Sequence, residues 1–187
     1  FAVRPESYHA FLCSLFDRWL ANGYPRINIR FFTNIVHHFL GLPAECCMFR
    51  PSCPEYLVVE HNGDVYPCDF FVENEWLLGN IACDTLEEIA AHPRFREFSR
   101  FRSMTRDECD ACRWVDFCHR GCIRFRWLGE HDYAGRDYLC AAHRMFLDAN
   151  EERFRFLAGD AERRNRGLPA PKDVGRNDSC WCGSGKK

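Results

Sequence analysis

Four cysteines crowd into a short stretch at Cys109, Cys112, Cys118 and Cys122, spaced C-x2-C-x5-C-x3-C. Trp114, Phe117 and Gly121 lie between them, so the segment is suited to a loop folded around an inorganic centre rather than to an ordinary core segment. Cys47, Cys53 and Cys68 upstream and Cys140 downstream raise the supply to eight thiols, or two sets of four. Thiolates bind zinc and iron-sulfur clusters alike, and a tetrahedral zinc on four thiolates is the common structural use of paired C-x2-C motifs. The gaps of five and three, with the long intervals from Cys68 to Cys109 and from Cys122 to Cys140, match neither a zinc ribbon nor a finger. On spacing alone both metals remain open.

The surrounding elements must carry these thiols. From Pro5 to Ala21, the residues Tyr8, Phe11, Leu12, Leu15, Phe16 and Trp19 recur at helical spacing, with Gly23 placed to end the helix. Ile27, Ile29 and Phe31 alternate with Asn28 and Arg30, which predicts a strand whose sheet partners precede Phe1. A second helical pattern follows through Ile35, Val36, Phe39 and Leu40. Tyr56 to Glu60 and Val65 to Tyr66 flank His61-Asn62-Gly63-Asp64, where Asn-Gly supplies the positive φ of a tight hairpin. Cys53 and Cys68 then sit at the open ends of one hairpin, so a centre at its mouth is expected.

Asp84 and Glu87 resemble a helix-capping pair, and Pro93 separates that helix from the next. Arg94, Arg96, Arg100, Arg102 and Arg106 are expected on a solvated face. Cys13 and Cys83 are expected as small buried apolar residues. Tyr66, Phe71 and Trp76 could line a channel, but aromatics around a hairpin more often form core. Phe146, Leu147, Phe154 and Leu157 extend a helix to about Gly159, and residues 160–173, polar and rich in Arg, Pro and Gly, read as a linker.

The chain has 187 residues, 47% of them hydrophobic, with 13 cysteines and a formal net charge of -2. That is enough apolar residue for a packed core. The balance of charge offers nothing to nucleic acid, and no apolar run approaches the roughly 18 residues of a membrane span. Grouped thiols without a signal peptide favour metal ligation in a reducing compartment, so the expected location is the cytoplasm. The first residue is Phe1 and the last, Lys187, falls within a motif, which suggests a fragment.

The full pattern is Cys53-x9-Gly63-x4-Cys68, then the central run, then Cys140, and it resembles the seven-cysteine signature of SPASM domains in radical S-adenosylmethionine enzymes. Cys47 and the segment YLVVEHNGDVYPCDFF, Tyr56 to Phe71, are similar to the anaerobic sulfatase-maturating enzymes within that group. The resemblance spans roughly residues 5 to 157. It implies an α+β chain: the end of a radical SAM partial α/β barrel over 1–45, then a small SPASM domain over 46–157 with a β-hairpin and short helices. A linker at 158–173 and a SEC-C motif at 174–187 would follow.

The same resemblance implies two auxiliary 4Fe-4S clusters. Cys47, Cys53, Cys68 and Cys122 would hold the first, with Cys46 the alternative to Cys47. Cys109, Cys112, Cys118 and Cys140 would hold the second. Asp69 would be the catalytic base. Read without the family it is a turn-forming acid, but a carboxylate beside a negatively charged cluster is favoured to take up a proton. Implied as well are S-adenosylmethionine on a third cluster in a core outside these residues, a sulfatase polypeptide substrate whose cysteine or serine becomes formylglycine, and a reductant such as flavodoxin or ferredoxin. No C-x3-C-x2-C run occurs, so the chain alone should not cleave the cofactor. Val174 to Lys187 resembles the opening of the zinc-binding SEC-C motif through Cys180 and Cys182, with Trp181 where that motif usually has proline. A phosphate loop ending at Lys186 is excluded, because Cys180 stands where it needs glycine. Two competing readings are a non-enzymatic module with two structural zinc sites and a SPASM enzyme that cross-links or epimerises another peptide.

Overall fold

The computed structural model describes residues 3–21, 25, 27–53, 56–104 and 107–166, and Gly23, Arg106 and the SEC-C segment lie outside them. The chain is α+β. In order the elements are α1 (Pro5–Leu20), α2 (Arg30–Phe39), β1 (Val58–Val59), β2 (Asp64–Tyr66), β3 (Gly79–Asn80), α3 (Leu86–Ala90), α4 (Pro93–Phe101), α5 (Asp107–Asp110), α6 (Val115–Cys118), α7 (Ile123–Glu130) and α8 (Cys140–Asn165). They fall into two compact units, one of Phe1–Cys46 with Leu139–Lys187 and one of Cys47–Tyr138.

The first unit is helical. Leu12, Phe16 and Leu20 lie four residues apart on α1 and are buried as one stripe. Phe32 and Ile35 of α2 and Phe146, Leu147, Phe154 and Leu157 of α8 are buried with them. Phe16 stacks on Phe154 at 4.4 Å between ring centroids and meets Phe32 edge-on at 5.1 Å. Buried amides are satisfied locally, since Asn34 donates to the Arg30 carbonyl at 2.6 Å and Asn150 to the Phe146 carbonyl at 2.9 Å.

Two expectations change here. Residues 27–29 form no strand, and α2 begins at Arg30. The alternation was only three apolar residues long, and Phe31 and Phe32 instead pack their rings against Phe146 at 5.9 and 5.6 Å, which the helix allows. The final helix also runs past Gly159 to Asn165. Asp160, Arg164, Glu162 and Arg166 explain the extension, because they pair four residues apart along it.

The second unit holds the sheet, ordered β1-β2-β3 and antiparallel throughout. The hairpin forms where Asn-Gly placed it: Val58 faces Tyr66, and Gly63 takes φ +89°. A Cβ at Gly63 would also come within 2.7 Å of Asn80 Oδ1, so the turn requires glycine twice over. The third strand, two residues long, had no legible pattern. The capping pair sits one residue later than expected. Thr85 accepts from the Glu88 amide and Glu88 reaches back to the Thr85 amide at 2.9 Å, while Asp84 accepts from the Asn80 amide instead. Tyr66, Phe71 and Trp76 join Phe98 and Ile123 in the core, in keeping with the core reading of those aromatics. Cys13 is half-buried, but Cys83 is exposed in the turn after β3 rather than packed. No helix among the described residues is long and apolar enough to cross a membrane.

Candidate metal centre

Cys47, Cys53, Cys68 and Cys122 line one small cavity of the second unit, together with Tyr56, Phe70, Phe98, Arg102 and Ile123. Cys47 opens a 3-10 turn whose Phe49 is buried and stacked on Phe117 at 4.5 Å. Cys53 and Cys68 flank the hairpin and pack on the aromatic core. Cys122 caps α7, and its amide donates to Asp137 Oδ2 at 3.2 Å. Cys46, the alternative to Cys47, falls in the other unit, where its amide donates to Asn34 Oδ1 at 3.1 Å.

Cys109, Cys112 and Cys118 form a second neighbourhood. Cys109 lies in α5, the Cys112 amide bonds back to the Cys109 carbonyl at 3.1 Å, and Cys118 ends α6. Cys140 is the first residue of α8, in the first unit. A backbone reversal separates Cys118 from Cys122, for His119, Arg120 and Gly121 are all left-handed, at φ 44°, 70° and 77°. Four residues apart on a helix, the two thiols would share a face. With the reversal, Cys118 keeps company with Cys109 and Cys112, and Cys122 with Cys53 and Cys47. Gly121 is obligatory there, since a Cβ would fall 2.3 Å from the Asp137 carboxylate.

Among the described residues no two cysteines are joined in a disulfide. Burial pushes those of Cys53, Cys109, Cys118 and Cys122 above the usual range, and that of Cys68 up to about 12. The buried Arg102 guanidinium works in the opposite direction on Cys53 and Cys122. Among the described residues no three His, Cys, Asp or Glu side chains converge as on a single ion. A four-iron cube takes each thiolate on a different iron, so four thiols ringing a cavity fit its donor chemistry.

Asp69 is exposed beside the cavity. Tyr56 Oη donates to Asp69 Oδ1 at 3.2 Å, and the Cys68 thiol approaches the same oxygen at 3.4 Å. The tyrosine therefore orients the carboxylate.

Two arginines escaped the reading of the sequence. Arg94, Arg96 and Arg100 are exposed as expected, but Arg102 is 3% exposed and Arg126 is 1% exposed. Arg102 donates to the carbonyls of Met48 at 2.7 Å, Arg50 at 2.6 Å and Gly121. Arg126 donates to those of Arg120 at 2.9 Å, Met104 at 2.9 Å, Phe101 at 3.1 Å and Tyr133 at 3.2 Å. A signal existed in each case: Arg102, the C-cap of α4, is four residues after the buried Phe98, and Arg126 is three after Ile123 on α7.

Residues 46–114 match the SPASM iron-sulfur cluster-binding domain, and residues 176–187 match the SEC-C motif. A cysteine-type anaerobic sulfatase-maturating enzyme of Clostridium perfringens is 33% identical over 151 residues, covering 79% of this chain and 40% of that protein. A serine-type enzyme of Bacteroides thetaiotaomicron is 32% identical over 150 residues, covering 79% and 36%. The solved structure described as native anSMEcpe with bound AdoMet superposes with a TM-score of 0.78 at 31% identity, over 86% of this chain and 45% of that one. The same protein with AdoMet and the Cp18Cys peptide gives 0.77. The chain thus spans about two fifths of the length of the curated relatives it matches.

Proposed function

We propose, from the premise that this chain carries a SPASM domain and is homologous to part of the anaerobic sulfatase-maturating enzymes, that it is the auxiliary-cluster portion of a radical SAM oxidoreductase. That enzyme would oxidise a cysteine or serine of a sulfatase polypeptide to formylglycine. The observation that carries the reading is the single cavity lined by Cys47, Cys53, Cys68 and Cys122 with Asp69 at its side.

In this reading Cys47, Cys53, Cys68 and Cys122 hold the first cluster. Cys109, Cys112 and Cys118 hold the second, with Cys140 as fourth ligand on the strength of the family pattern. A four-iron cluster with four thiolate ligands supplies a one-electron acceptor. What the chain itself adds is proton handling. Asp69 is open to a polypeptide, and Tyr56 fixes one of its oxygens, so the carboxylate is set to accept a proton from the side chain being oxidised. The domain limits proposed are 1–45, 46–157 and 174–187, with the linker read at 158–173 placed after the helix that ends at Asn165 and the last segment offering Cys180 and Cys182 toward zinc.

Anaerobically purified protein should be brown, with broad absorption near roughly 400 nm and about eight iron and eight sulfide per chain. Colourless protein with two zinc would overturn the reading in favour of the structural module. In the intact radical SAM enzyme, Asp69→Asn with its clusters in place should abolish aldehyde formation on a peptide carrying C-x-P-x-R, followed by mass. Undiminished oxidation would remove Asp69 from its role.

A further inference from the structure

We propose that Arg102 is the fixed counter-charge of the first cluster: its buried guanidinium, clamped among the ligand-bearing segments by backbone carbonyls, raises the reduction potential of the centre held by Cys47, Cys53, Cys68 and Cys122. The inference rests on the cluster reading above and adds a residue to it that tunes rather than ligates.

Three observations carry it. Arg102 lines the same cavity as the four thiols and is 3% exposed. Its described hydrogen bonds run to carbonyls on both sides of the cavity, those of Cys47, Met48 and Arg50 on one segment and of Gly121 on the other. Among the described residues it has no ion pair with a carboxylate. Its electrostatic neighbours are the Cys53, Cys122, Cys47 and Cys118 thiols, with the Arg126 guanidinium also within range. A buried cation without an anion is costly, so this position calls for negative charge. Four thiolates around an iron-sulfur cube provide it.

The contrast with Arg126 is informative. That side chain is equally buried, but beside the Cys109 thiol it also has the Asp137 carboxylate near it, and its bonds tie together the carbonyls of Phe101, Met104, Arg120 and Tyr133. Arg126 is scaffolding with a local partner. Arg102 has its charge directed at the thiols.

Reduction makes a thiolate-bound cluster more negative, so a nearby fixed cation stabilises the reduced form more than the oxidised one. Because the donors of Arg102 are spent on carbonyls, the effect acts through charge rather than through bonds to sulfur.

The test compares Arg102→Gln and Arg102→Lys in the 187-residue chain, reconstituted anaerobically, by iron and sulfide content and by a spectroscopically monitored redox titration. In R102Q one of the two clusters should become harder to reduce by about tenfold in the equilibrium constant, which is 59 mV for a one-electron couple. R102K should stay near the wild-type potential. Loss of one cluster from R102Q, with R102K loaded and unshifted, also supports a charge role. An unshifted, fully loaded R102Q overturns the proposal, as does R102K shifting or losing iron to the same extent as R102Q, which marks Arg102 as packing alone. A wild-type chain that takes up no iron overturns the cluster reading itself.

Discussion

The interior changes character from one unit to the other. Around Phe16 it is made of rings, with Phe32, Phe146 and Phe154 all within 5.6 Å of it between centroids and Arg153 laid over its face at 4.4 Å. Around Arg102 and Arg126 it is made of peptide carbonyls gathered by two guanidinium groups, with four thiols sharing a cavity with Arg102. Long helices bury continuous apolar stripes and so need no other support. The second unit has strands of two or three residues and several one-turn helices, too short to fold by local propensity. There, the guanidinium clamps add to a small core around Phe71, Trp76 and Phe98, and the proposed metal would add to it further. Small domains commonly add metal in the same way when the core is insufficient.

The sharpest way to break this contrast is to withhold the metal. Chelated, anaerobic protein should lose amide-exchange protection across residues 47–138 while α1 and the middle of α8 keep theirs, as read by hydrogen-exchange mass spectrometry. Equal protection in both units would show that the second needs no metal to fold. Next in size is Phe16→Ala. Phe16 is fully buried, so the loss should be about 3–5 kcal/mol in urea unfolding followed by far-ultraviolet circular dichroism. A cost under about 1 kcal/mol would mean that the rings fill space without holding the helices.

A slightly smaller effect concerns acid. His143 is buried against Phe31 and Tyr8, at 5.1 and 5.9 Å between ring centroids, and burial lowers its pKa from 6.5 to about 4. The unfolded chain binds that proton more readily than the folded one, so protonation favours unfolding. Its contribution is fully present above pH 6.5 and is lost as the pH falls toward 4, a change of about 3 kcal/mol. His143→Phe should flatten that part of the pH-stability curve. An unchanged slope would show that the acid sensitivity arises elsewhere. The smallest effect expected is that of Thr85→Ala, about 1 kcal/mol from the capping box of α3. It should appear as faster exchange confined to residues 86–90.

The two units also differed in how far they could be read from sequence. Helix α1 was legible because Leu12 and Phe16 repeat at the period of the backbone itself. The hairpin was legible because Asn62-Gly63 names its own turn. The alternation at Ile27, Ile29 and Phe31 misled, since three residues cannot separate a strand from the lead-in to a helix, and the partner rings of α8 decided the outcome. Of the four-thiol cavity, the residues alone indicated only the hairpin mouth between Cys53 and Cys68, and the grouping with Cys47 and Cys122 came from the family resemblance. Arg102 was hidden among five similar arginines. Only tertiary packing determines which of them turns inward, and that information lies in Phe98 and the distant loop at Met48 rather than next to Arg102.

The left-handed run at His119, Arg120 and Gly121 has a practical bearing on transplanting this site to another protein. Copying the cysteines alone, with a helical spacer of equal length, would turn the sulfurs of Cys118 and Cys122 to one side. The portable module is the hinge together with the aspartate behind it, and any scaffold that hosts it must tolerate a glycine pressed against Asp137.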